Sequence, residues 1–465
     1  MRLLLPLLFC CNLGAAEWLR LKSDSFELIT TAGEAQGREA LQHFEQVANF
    51  FQQLNQTASS SAIPIRIILF ADENQYAPFR FNNSAAAFFI TAPDADYIVM
   101  AGASKGLYTI ALHEYVHLLI RRSRVVLPLW LEEGFADLFS TLKAAGNQTQ
   151  IGAAPPGRTQ RLLAGELLPI GTVLAATRNS PLYNEASRMG MFYSESWALT
   201  HMLRLSDDFR PGFETFFNLV VSGYTAEEAL AKAYAKSPSE IEAYLMSYLG
   251  RGRLRLVLVP IKLKKEMATP THMPDAEFTA KLSLAILLQS KDSAKAIEGL
   301  EVLMKEYPSR PEPIAALASI WVAAGQTEKG MDGMARAINM GYRNPRTLRD
   351  YSLLLLKSGN NSLFLSAANR QLEIEPDDHE QRLRIATILF QMGDYAKSLS
   401  ELRKIEKPPS YMTVRYQLGI AACSIKLGDP DQARKAMAEI KKAAHTSQEL
   451  AELKQLEAAL AGSAH

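Results

Sequence analysis

Residues 113–137 read HEYVHLLIRRSRVVLPLWLEEGFAD, and this stretch decides how the N-terminal half of the chain is interpreted. His113 and His117 are four positions apart, so on a helix both imidazoles lie on one face and can bind a single metal ion. Glu114 projects beside that face, where it can reach a water molecule without itself binding the metal. The alternative is an amphipathic helix that carries two half-buried histidines and a surface glutamate.

The second part of this stretch supplies carboxylates on a helix of its own, predicted over residues 128–143. A catalytic zinc ion takes three protein ligands and leaves a fourth position open, and Glu133 is the expected third ligand. Asp137 follows one turn later on the same side, where it can accept the outer N–H of a ligand histidine and orient the ring. If Glu132 were the ligand instead, Asp137 would fall out of register, so Glu133 is favoured.

Together the two segments resemble the gluzincin zinc metallopeptidases, the group that contains thermolysin and the aminopeptidase N family. That group carries HExxH on one helix and ExxxD on the next, which residues 113–117 and 133–137 spell here. The fragment WLEEGFADLF is also similar to the WLNEGFA-type segment of the aminopeptidases. The resemblance implies an α+β, thermolysin-like domain (a small mixed sheet plus helices) over residues 17–265, with Zn²⁺ as cofactor and Glu114 as general base. The implied metal ligands are His113, His117 and Glu133.

A tyrosine further along the chain extends the resemblance. Residues 191–199 read MFYSESWAL and resemble the helix of aminopeptidase-like enzymes whose tyrosine stabilises the transition state. Tyr193 takes the matching position, and a phenol is a suitable donor to the oxyanion of a tetrahedral intermediate. The lysine and glycine that often follow in that family are Glu195 and Ser196 here. An ordinary interfacial tyrosine is the alternative, and His201 is a second candidate for the same role.

The residues before the first helix bear on the kind of peptidase. Aminopeptidases of this family bind a free N-terminus with a Gly-rich, acidic segment, and the corresponding residues 95–102, ADYIVMAG, lack that signature. An endopeptidase is therefore at least as well supported as an exopeptidase. The predicted strand at 85–90 is either the edge that pairs with an extended substrate or an ordinary strand of the sheet.

Hydrophobic periodicity predicts a mixed α/β opening followed by helices. The expected strands are residues 26–30, 63–70, 85–90 and 97–100. The expected helices are residues 34–54, 107–121 with Ser104 as N-cap, 128–143, and several between 192 and 249. Residues 146–157, rich in Gly and Pro, predict a loop or hairpin. The segment RLRLVLVPIKL at 253–263 is either a strand or a linker.

Beyond Pro274 the chain repeats itself. Glycines recur every 34 or 35 residues, and a small residue stands seven positions before each of them. The glycines are Gly325, Gly359, Gly393 and Gly428, and the small residues are Ala318, Ser352, Ala386 and Ala421. This period resembles the tetratricopeptide repeat (TPR), which implies an all-α solenoid over residues 277–460 that recruits a substrate or protein partner.

The first 16 residues have the layout of a secretory signal: Met1-Arg2, an apolar run and a small-residue exit before Glu17. Cleavage after Ala16 predicts an exported protein, periplasmic or extracellular and bacterial rather than eukaryotic, with no transmembrane helix. An uncleaved anchor is the alternative. Cleavage would remove two of the three cysteines and leave Cys423 as the only thiol. Such a chain has no internal disulfide and relies on its core and a metal ion.

Composition is that of a folded protein with two or three domains. The chain has 465 residues, of which 48% are hydrophobic and 21% charged, and 50 basic residues face 49 acidic ones. A net charge of +1 excludes a global polycation, so no nucleic-acid partner is expected. The chain has no P-loop.

Two functions follow from these patterns. The first is an exported zinc peptidase whose repeats recruit a peptide or protein substrate or a protein partner. The second is a TPR-based interaction scaffold in which the metallopeptidase-like domain is structural or inactive. Either way, the two halves are expected to be separable, so that deleting the residues beyond about 275 leaves a folded catalytic half.

Overall fold

The computed structural model describes residues 17–54, 62–80, 85–123, 125–145, 147–180, 186–252, 254–261, 271–444 and 446–462. The predicted signal segment, residues 1–16, lies outside the described residues. Within the part of the chain that is described, no helix has the length and apolar character needed to cross a membrane.

Among the described residues of the N-terminal half, nine strands form two sheets. The strands are β1 (Leu19–Lys22), β2 (Phe26–Thr30), β3 (Ile65–Leu69), β4 (Ala87–Thr91), β5 (Asp96–Met100), β6 (Lys143–Ala145), β7 (Gln148–Ile151), β8 (Val257–Pro260) and β9 (Thr271–His272). The large sheet has the order β4-β5-β3-β2-β1-β9, and β6-β7-β8 form a small antiparallel sheet. In the large sheet β2, β3 and β5 are parallel, while β4 is antiparallel to β5. The predicted mixed sheet is therefore present, and residues 257–260 are a strand.

Ten α-helices accompany these strands among the described residues of the N-terminal half. They are α1 (Glu34–Leu54), α2 (Glu73–Tyr76), α3 (Lys105–Ser123), α4 (Leu129–Ser140), α5 (Arg158–Ala164), α6 (Ile170–Leu174), α7 (Ala186–Leu205), α8 (Phe213–Val221), α9 (Ala226–Tyr234) and α10 (Pro238–Gly250). The predicted strand 26–30 and helix 34–54 are confirmed to the residue. The helix predicted from Pro128 to Lys143 is shorter, because Pro128 is its N-cap, the helix ends at Ser140 and Lys143 begins β6.

The C-terminal part is an array of helix pairs closed by a single helix. The helices are α11 (Ala276–Leu288), α12 (Ser293–Glu306), α13 (Glu312–Ala323), α14 (Thr327–Asn339), α15 (Pro345–Lys357), α16 (Asn361–Ile374), α17 (His379–Gln391), α18 (Tyr395–Arg403), α19 (Thr413–Lys426), α20 (Pro430–Ala443) and α21 (Ser447–Gly462). The four spaced glycines all have φ between 74° and 84°, in the left-handed region that glycine adopts without strain. Each follows the first helix of a pair. The four small residues are buried. The predicted TPR-like architecture is thus confirmed for this part.

The large sheet has apolar side chains on both faces, and a different layer covers each. One face, with Leu28, Ile67 and Ile98, belongs to the core that α1, α3, α4 and α7 complete. The opposite face carries Ile29, Ile68 and Val99 among others, because successive strand residues point to opposite sides. That second face is covered by α11–α13, the first helices of the array.

The packing argues against the expectation of two separable halves. Thr271 and His272 lie between the two predicted domains, yet they pair with Lys22 and Leu21 as the last strand of the large sheet. The array also supplies half of a hydrophobic core whose other half is the sheet. The boundary in the sequence is therefore not a boundary in the packing.

Candidate metal centre

Three side chains from two adjacent helices converge on one point. The His113 and His117 Nε2 atoms are 3.1 Å apart, and Glu133 Oε2 lies 3.4 Å from the first and 3.3 Å from the second. A tetrahedral zinc ion with bonds of about 2.0–2.1 Å places its ligand atoms roughly 3.3–3.4 Å apart. The triangle therefore has the dimensions of three corners of a zinc site. Among the described residues it is the one group of His, Cys, Asp and Glu side chains with this convergence.

The outer nitrogens of both histidines face carboxylates. Asp137 Oδ1 lies 2.9 Å from Nδ1 of His113, the contact that the sequence predicts. Glu132 Oε1 lies 3.1 Å from Nδ1 of His117. Both contacts hold the Nδ1 proton and leave Nε2 for a metal ion. Glu132 thus lies behind His117, whereas Glu133 lies between the Nε2 atoms of both histidines, the position that the register argument expects of it.

Two arginines, not anticipated from the sequence, hold these carboxylates. Arg158 donates from Nε to Asp137 Oδ2 at 2.6 Å, and its guanidinium lies 5.1 Å from the centre of the Tyr193 ring. Arg178 donates to both oxygens of Glu132, at 3.0 and 2.9 Å. His113 and His117 therefore each have a carboxylate and an arginine behind them. No motif in the sequence points to these arginines. Arg158 is the first residue of the short helix α5 and Arg178 lies in a loop, and both follow the motif at no characteristic spacing.

Helix α4, which carries Glu133, packs closely against α7, which carries Tyr193. A Cβ atom on Gly134 would overlap the Thr200 hydroxyl and the Ser196 carbonyl of α7. Only glycine fits there, so the helices cross at short range directly beside Glu133. The Tyr193 ring then lies edge-on to His113, with ring centroids 6.4 Å apart.

His201, the second candidate for the role of Tyr193, is placed elsewhere. Its Nε2 faces the Gly152 carbonyl at 3.0 Å and its Nδ1 the Tyr248 hydroxyl at 2.8 Å, within the core. Burial lowers the pKa of His201 to about 4. Both ring nitrogens thus have hydrogen-bond partners within the core. Tyr193 lies at the site, and His201 does not.

Glu114 faces the end strand of the large sheet. Its carboxylate accepts a hydrogen bond from the Phe89 backbone N–H, and burial raises its pKa. In the β4–β5 pair, Ala92 donates to Ala95 and Ala101 donates to Ala86, so the even-numbered residues of β4 bond to β5. The odd-numbered residues, Phe89 among them, direct their backbone groups away from β5. Glu114 therefore lies where the open edge of β4 meets α3.

Neighbouring carboxylates raise the pKa values of His113 and His117. Burial alone would lower the pKa of His113, but its hydrogen bonds with Asp137 and Glu133 raise it to about 10. Burial has the same tendency at His117, where Glu132 and Glu133 raise the pKa to about 9. Burial would raise the pKa of Glu133, but its hydrogen bonds with the two histidines lower it to about 2. Without a metal ion, the neighbouring carboxylates thus favour the protonated form of the two imidazoles.

This protonation predicts how pH acts on the metal-free protein. Both histidine pKa values are raised above 6.5, so their contribution to the free energy of unfolding is complete below pH 6.5 and is lost as pH rises towards 9–10. Zinc needs neutral imidazoles, so its affinity should rise across that window, roughly tenfold or more per pH unit. Melting temperatures of metal-free protein and competition with a zinc indicator, both measured from pH 6 to 10, check this. A zinc affinity that is flat over that range would contradict the proton competition.

Replacing Asp137 by Asn tests the contact behind His113. We expect zinc affinity to fall about 10- to 100-fold with the fold retained, because the amide holds the Nδ1 proton less strongly than a carboxylate does. Competition titration and circular dichroism measure the two quantities. Asp208→Asn is a matched control, since Asp208 is an exposed partner of Arg251. Equal zinc affinity in Asp137→Asn and Asp208→Asn would remove the orienting role of Asp137.

Comparison with known proteins finds similarity in the repeat array. No protein-family model matches the chain, and no curated protein does. YrrB, described as a TPR protein with an unusual peptide-binding site, aligns over 38% of this chain and 90% of its own at 16% identity, with a TM-score of 0.33. A TPR protein from Parabacteroides merdae aligns over 40% and 73% at 18% identity, TM-score 0.32. MamA aligns over 36% and 91% at 14% identity, TM-score 0.29. Similarity this low adds no argument about function.

Proposed function

We propose that this protein is a zinc-dependent peptidase of the gluzincin type. The observation that carries the proposal is the triangle of His113 Nε2, His117 Nε2 and Glu133 Oε2, whose edges of 3.1–3.4 Å suit a tetrahedral zinc ion. The donor set of two imidazoles and one carboxylate also suits zinc chemically. A bound zinc ion would supply Lewis acidity, which lowers the pKa of water and polarises a carbonyl group.

The chain's own residues would divide the remaining work. Glu114 is beside the triangle and outside it, so it can take a proton from the attacking water and deliver it to the leaving amine. Burial raises its pKa, which makes the carboxylate a stronger base. Tyr193, next to His113, is a hydrogen-bond donor for the oxyanion that develops on the scissile carbonyl. Asp137 and Glu132 keep the two imidazoles oriented.

The open edge of β4 is the proposed binding surface for the substrate. An extended peptide can add to an exposed strand through backbone hydrogen bonds, whatever its side chains are. β4 ends the large sheet among the described strands, and Phe89 on its open edge contacts Glu114. A peptide paired with β4 would pass the general base. This arrangement favours an endopeptidase, since a peptide can pair with β4 through internal residues and needs no free N-terminus to do so.

The test combines metal analysis with a peptide digest. Purified protein should contain one zinc ion per chain, and the zinc-loaded protein should cleave members of a peptide library at internal bonds. Glu114→Gln is the inactive control, and the chelated wild-type protein is the second. Protein that binds no stoichiometric zinc would rule the proposal out. Cleavage confined to the N-terminal residue would leave a zinc peptidase but reject the endopeptidase assignment.

A second candidate function is an interaction scaffold, favoured by the TPR-like array. The array makes up the whole of residues 276–462 apart from connections, and such arrays commonly present extended binding surfaces for proteins. In this alternative the metal centre stabilises the fold and Glu114 has no chemical task. Stoichiometric zinc without cleavage of any library peptide would select it. In both cases we propose export to the periplasm or the medium, which N-terminal sequencing of the mature protein tests.

A further inference from the structure

The turn that joins β4 to β5 is held by the repeat array. Three backbone carbonyls of this turn, at Ala92, Asp94 and Ala95, accept hydrogen bonds from the start of α15. Arg346 donates from Nη1 to Ala92 and, at 3.3 Å, to Ala95. Asn344 donates from Nδ2 to Asp94 at 3.1 Å. The start of α15, in the third helix pair, thus binds three backbone carbonyls of the turn that precedes β5.

The same two residues are themselves fixed in place. The Oδ1 atom of Asn344 accepts from the backbone N–H groups of Arg346 and Thr347, at 2.9 and 3.2 Å, so its side chain caps α15 while its amide holds the turn. Asn344 is 7% exposed. A cap that binds with both ends of its amide cannot rotate without losing both contacts. The start of α15 is therefore a rigid support for the turn.

Asp96, the first residue of β5, joins this contact to the helix that carries the two histidines. Its Oδ1 accepts from Arg346 Nη2 at 2.8 Å, and its Oδ2 accepts from Arg122 Nε at 2.9 Å. Arg122 is in the last turn of α3 and also donates to the Ile63 carbonyl at 2.8 Å. Asp96 is 1% exposed, and both of its oxygens are charge-paired. Array, turn and α3 thus meet at one buried carboxylate.

We propose that Arg346 is a positioning residue for substrate binding: by holding the β4–β5 turn, it fixes the edge strand with which the peptide pairs. This inference rests on the proposed peptidase function. Thr91 is paired with Asp96 at the turn end of β4, and Phe89 lies two residues further along. The Phe89 N–H is bonded to Glu114, so a peptide that adds to β4 pairs with the remaining open-edge groups, those of Ala87 and Thr91 and the Phe89 carbonyl, and needs them in one line. Fixing the turn removes the freedom of this hairpin before the substrate arrives.

The inference predicts an effect on substrate affinity and not on chemistry. The metal ligands are on α3 and α4, and none of them contacts Arg346. Without Arg346 the β4–β5 hairpin loses the hydrogen bonds to the Ala92 and Ala95 carbonyls and to Asp96. Peptide binding must then order β4, and the free energy of this ordering lowers the affinity for the substrate. KM should therefore rise roughly tenfold, about the effect of one backbone hydrogen bond, while kcat stays within about twofold. Bound zinc should be unchanged.

The experiment compares Arg346→Met with Arg349→Met in the full-length, zinc-loaded protein. Arg349 is on the same helix, and it pairs with Glu375 and Asp378 at 2.9 and 3.0 Å inside the array. Hydrogen exchange of peptides covering residues 85–101 should be faster in Arg346→Met and unchanged in Arg349→Met. Peptide hydrolysis should show the raised KM in Arg346→Met alone, and Arg346→Lys should restore part of the wild-type KM.

Each outcome decides between support and rejection. Faster exchange in residues 85–101 with a raised KM and an unchanged kcat supports the positioning role. An unchanged KM in an active protein overturns it, as does an equal effect of Arg349→Met. Loss of zinc or of kcat together with KM assigns Arg346 a structural role only, which also overturns it. A wild-type protein that binds zinc and cleaves nothing overturns the proposed function itself, and the positioning role falls with it.

Discussion

Glu114→Gln should slow peptide hydrolysis by orders of magnitude while leaving the metal site intact. The amide has almost the same size as the carboxylate but cannot take a proton from water, and general-base catalysis contributes about 10²- to 10⁴-fold to such reactions. We expect kcat to fall by that factor. Zinc content and melting temperature should match those of the wild-type protein, because Glu114 lies outside the ligand triangle. Kinetics on one library substrate, with zinc analysis of the same samples, measure both quantities.

Glu195→Gln is the matched control for this experiment. Glu195 is also a buried glutamate, and burial raises its pKa to about 7. Its carboxylate accepts a hydrogen bond from the Leu168 backbone N–H at 2.6 Å, a bond that an amide oxygen can also accept. Hydrolysis by Glu195→Gln should therefore stay near the wild-type rate. If Glu114→Gln retained that rate as well, Glu114 could not be the general base, whatever the zinc content.

Deleting the array should unfold the N-terminal half. A chain that ends at residue 274 would expose Ile29, Ile68 and Val99, together with Phe70 and Tyr97, all of which the first array helices now cover. At about 1.5–3 kcal/mol for each buried side chain, five of them contribute roughly 8–15 kcal/mol. That is as large as the whole free energy of unfolding of an ordinary domain, about 5–15 kcal/mol. We expect the product to be insoluble, or to lack a cooperative thermal transition.

A polar cluster at the same interface adds to this effect. Arg66 is buried between Asp94 at 2.6 Å and Glu27 at 3.2 Å, and it also donates to the Tyr97 hydroxyl at 2.8 Å. Ser283 of α11 lies 3.3 Å from the same hydroxyl. Removing the array would expose this network to water and remove the Ser283 contact, so its buried ion pairs would lose part of their fixed geometry.

A shorter deletion is the control. A chain that ends at residue 408 keeps α11–α18, so every array residue that packs against the sheet and both residues that hold the β4–β5 turn remain. This protein should fold and bind zinc. Solubility, near-ultraviolet circular dichroism and zinc content distinguish the two deletions. A soluble, cooperatively folded product ending at residue 274 would restore the picture of two separable halves.

Local spacing was enough to predict the repeat architecture. The glycines at 34- or 35-residue intervals lie in left-handed turns, and the small residues before them are buried where helices touch. A turn conformation and a close helix contact each depend on a few neighbouring residues, so the sequence shows them directly. The predicted strand 26–30 and helix 34–54 were found for the same reason.

The residues of the candidate metal centre could be named from the sequence, but their surroundings could not. His113 and His117 share a helix face because of the helical period, and Asp137 follows Glu133 by one turn. The arginines behind the site, Arg158 and Arg178, are brought there by chain segments whose path no motif describes. The sequence also suggested His201 as an alternative to Tyr193, but in the structure His201 forms hydrogen bonds within the core, away from the candidate site.

What the sequence determined by itself is therefore the set of elements and the residues that each presents: one pair of helices with two histidines and an ExxxD, strands with apolar side chains, and a helical repeat. What only the tertiary structure decided is which surfaces meet. Three contacts of this kind join residues far apart in the chain. Glu114 lies at the open edge of β4, α11–α13 cover one face of the sheet, and Arg346 holds the β4–β5 turn. Such contacts depend on the packing of whole faces against one another, and a periodic pattern specifies that a face is apolar without specifying its partner.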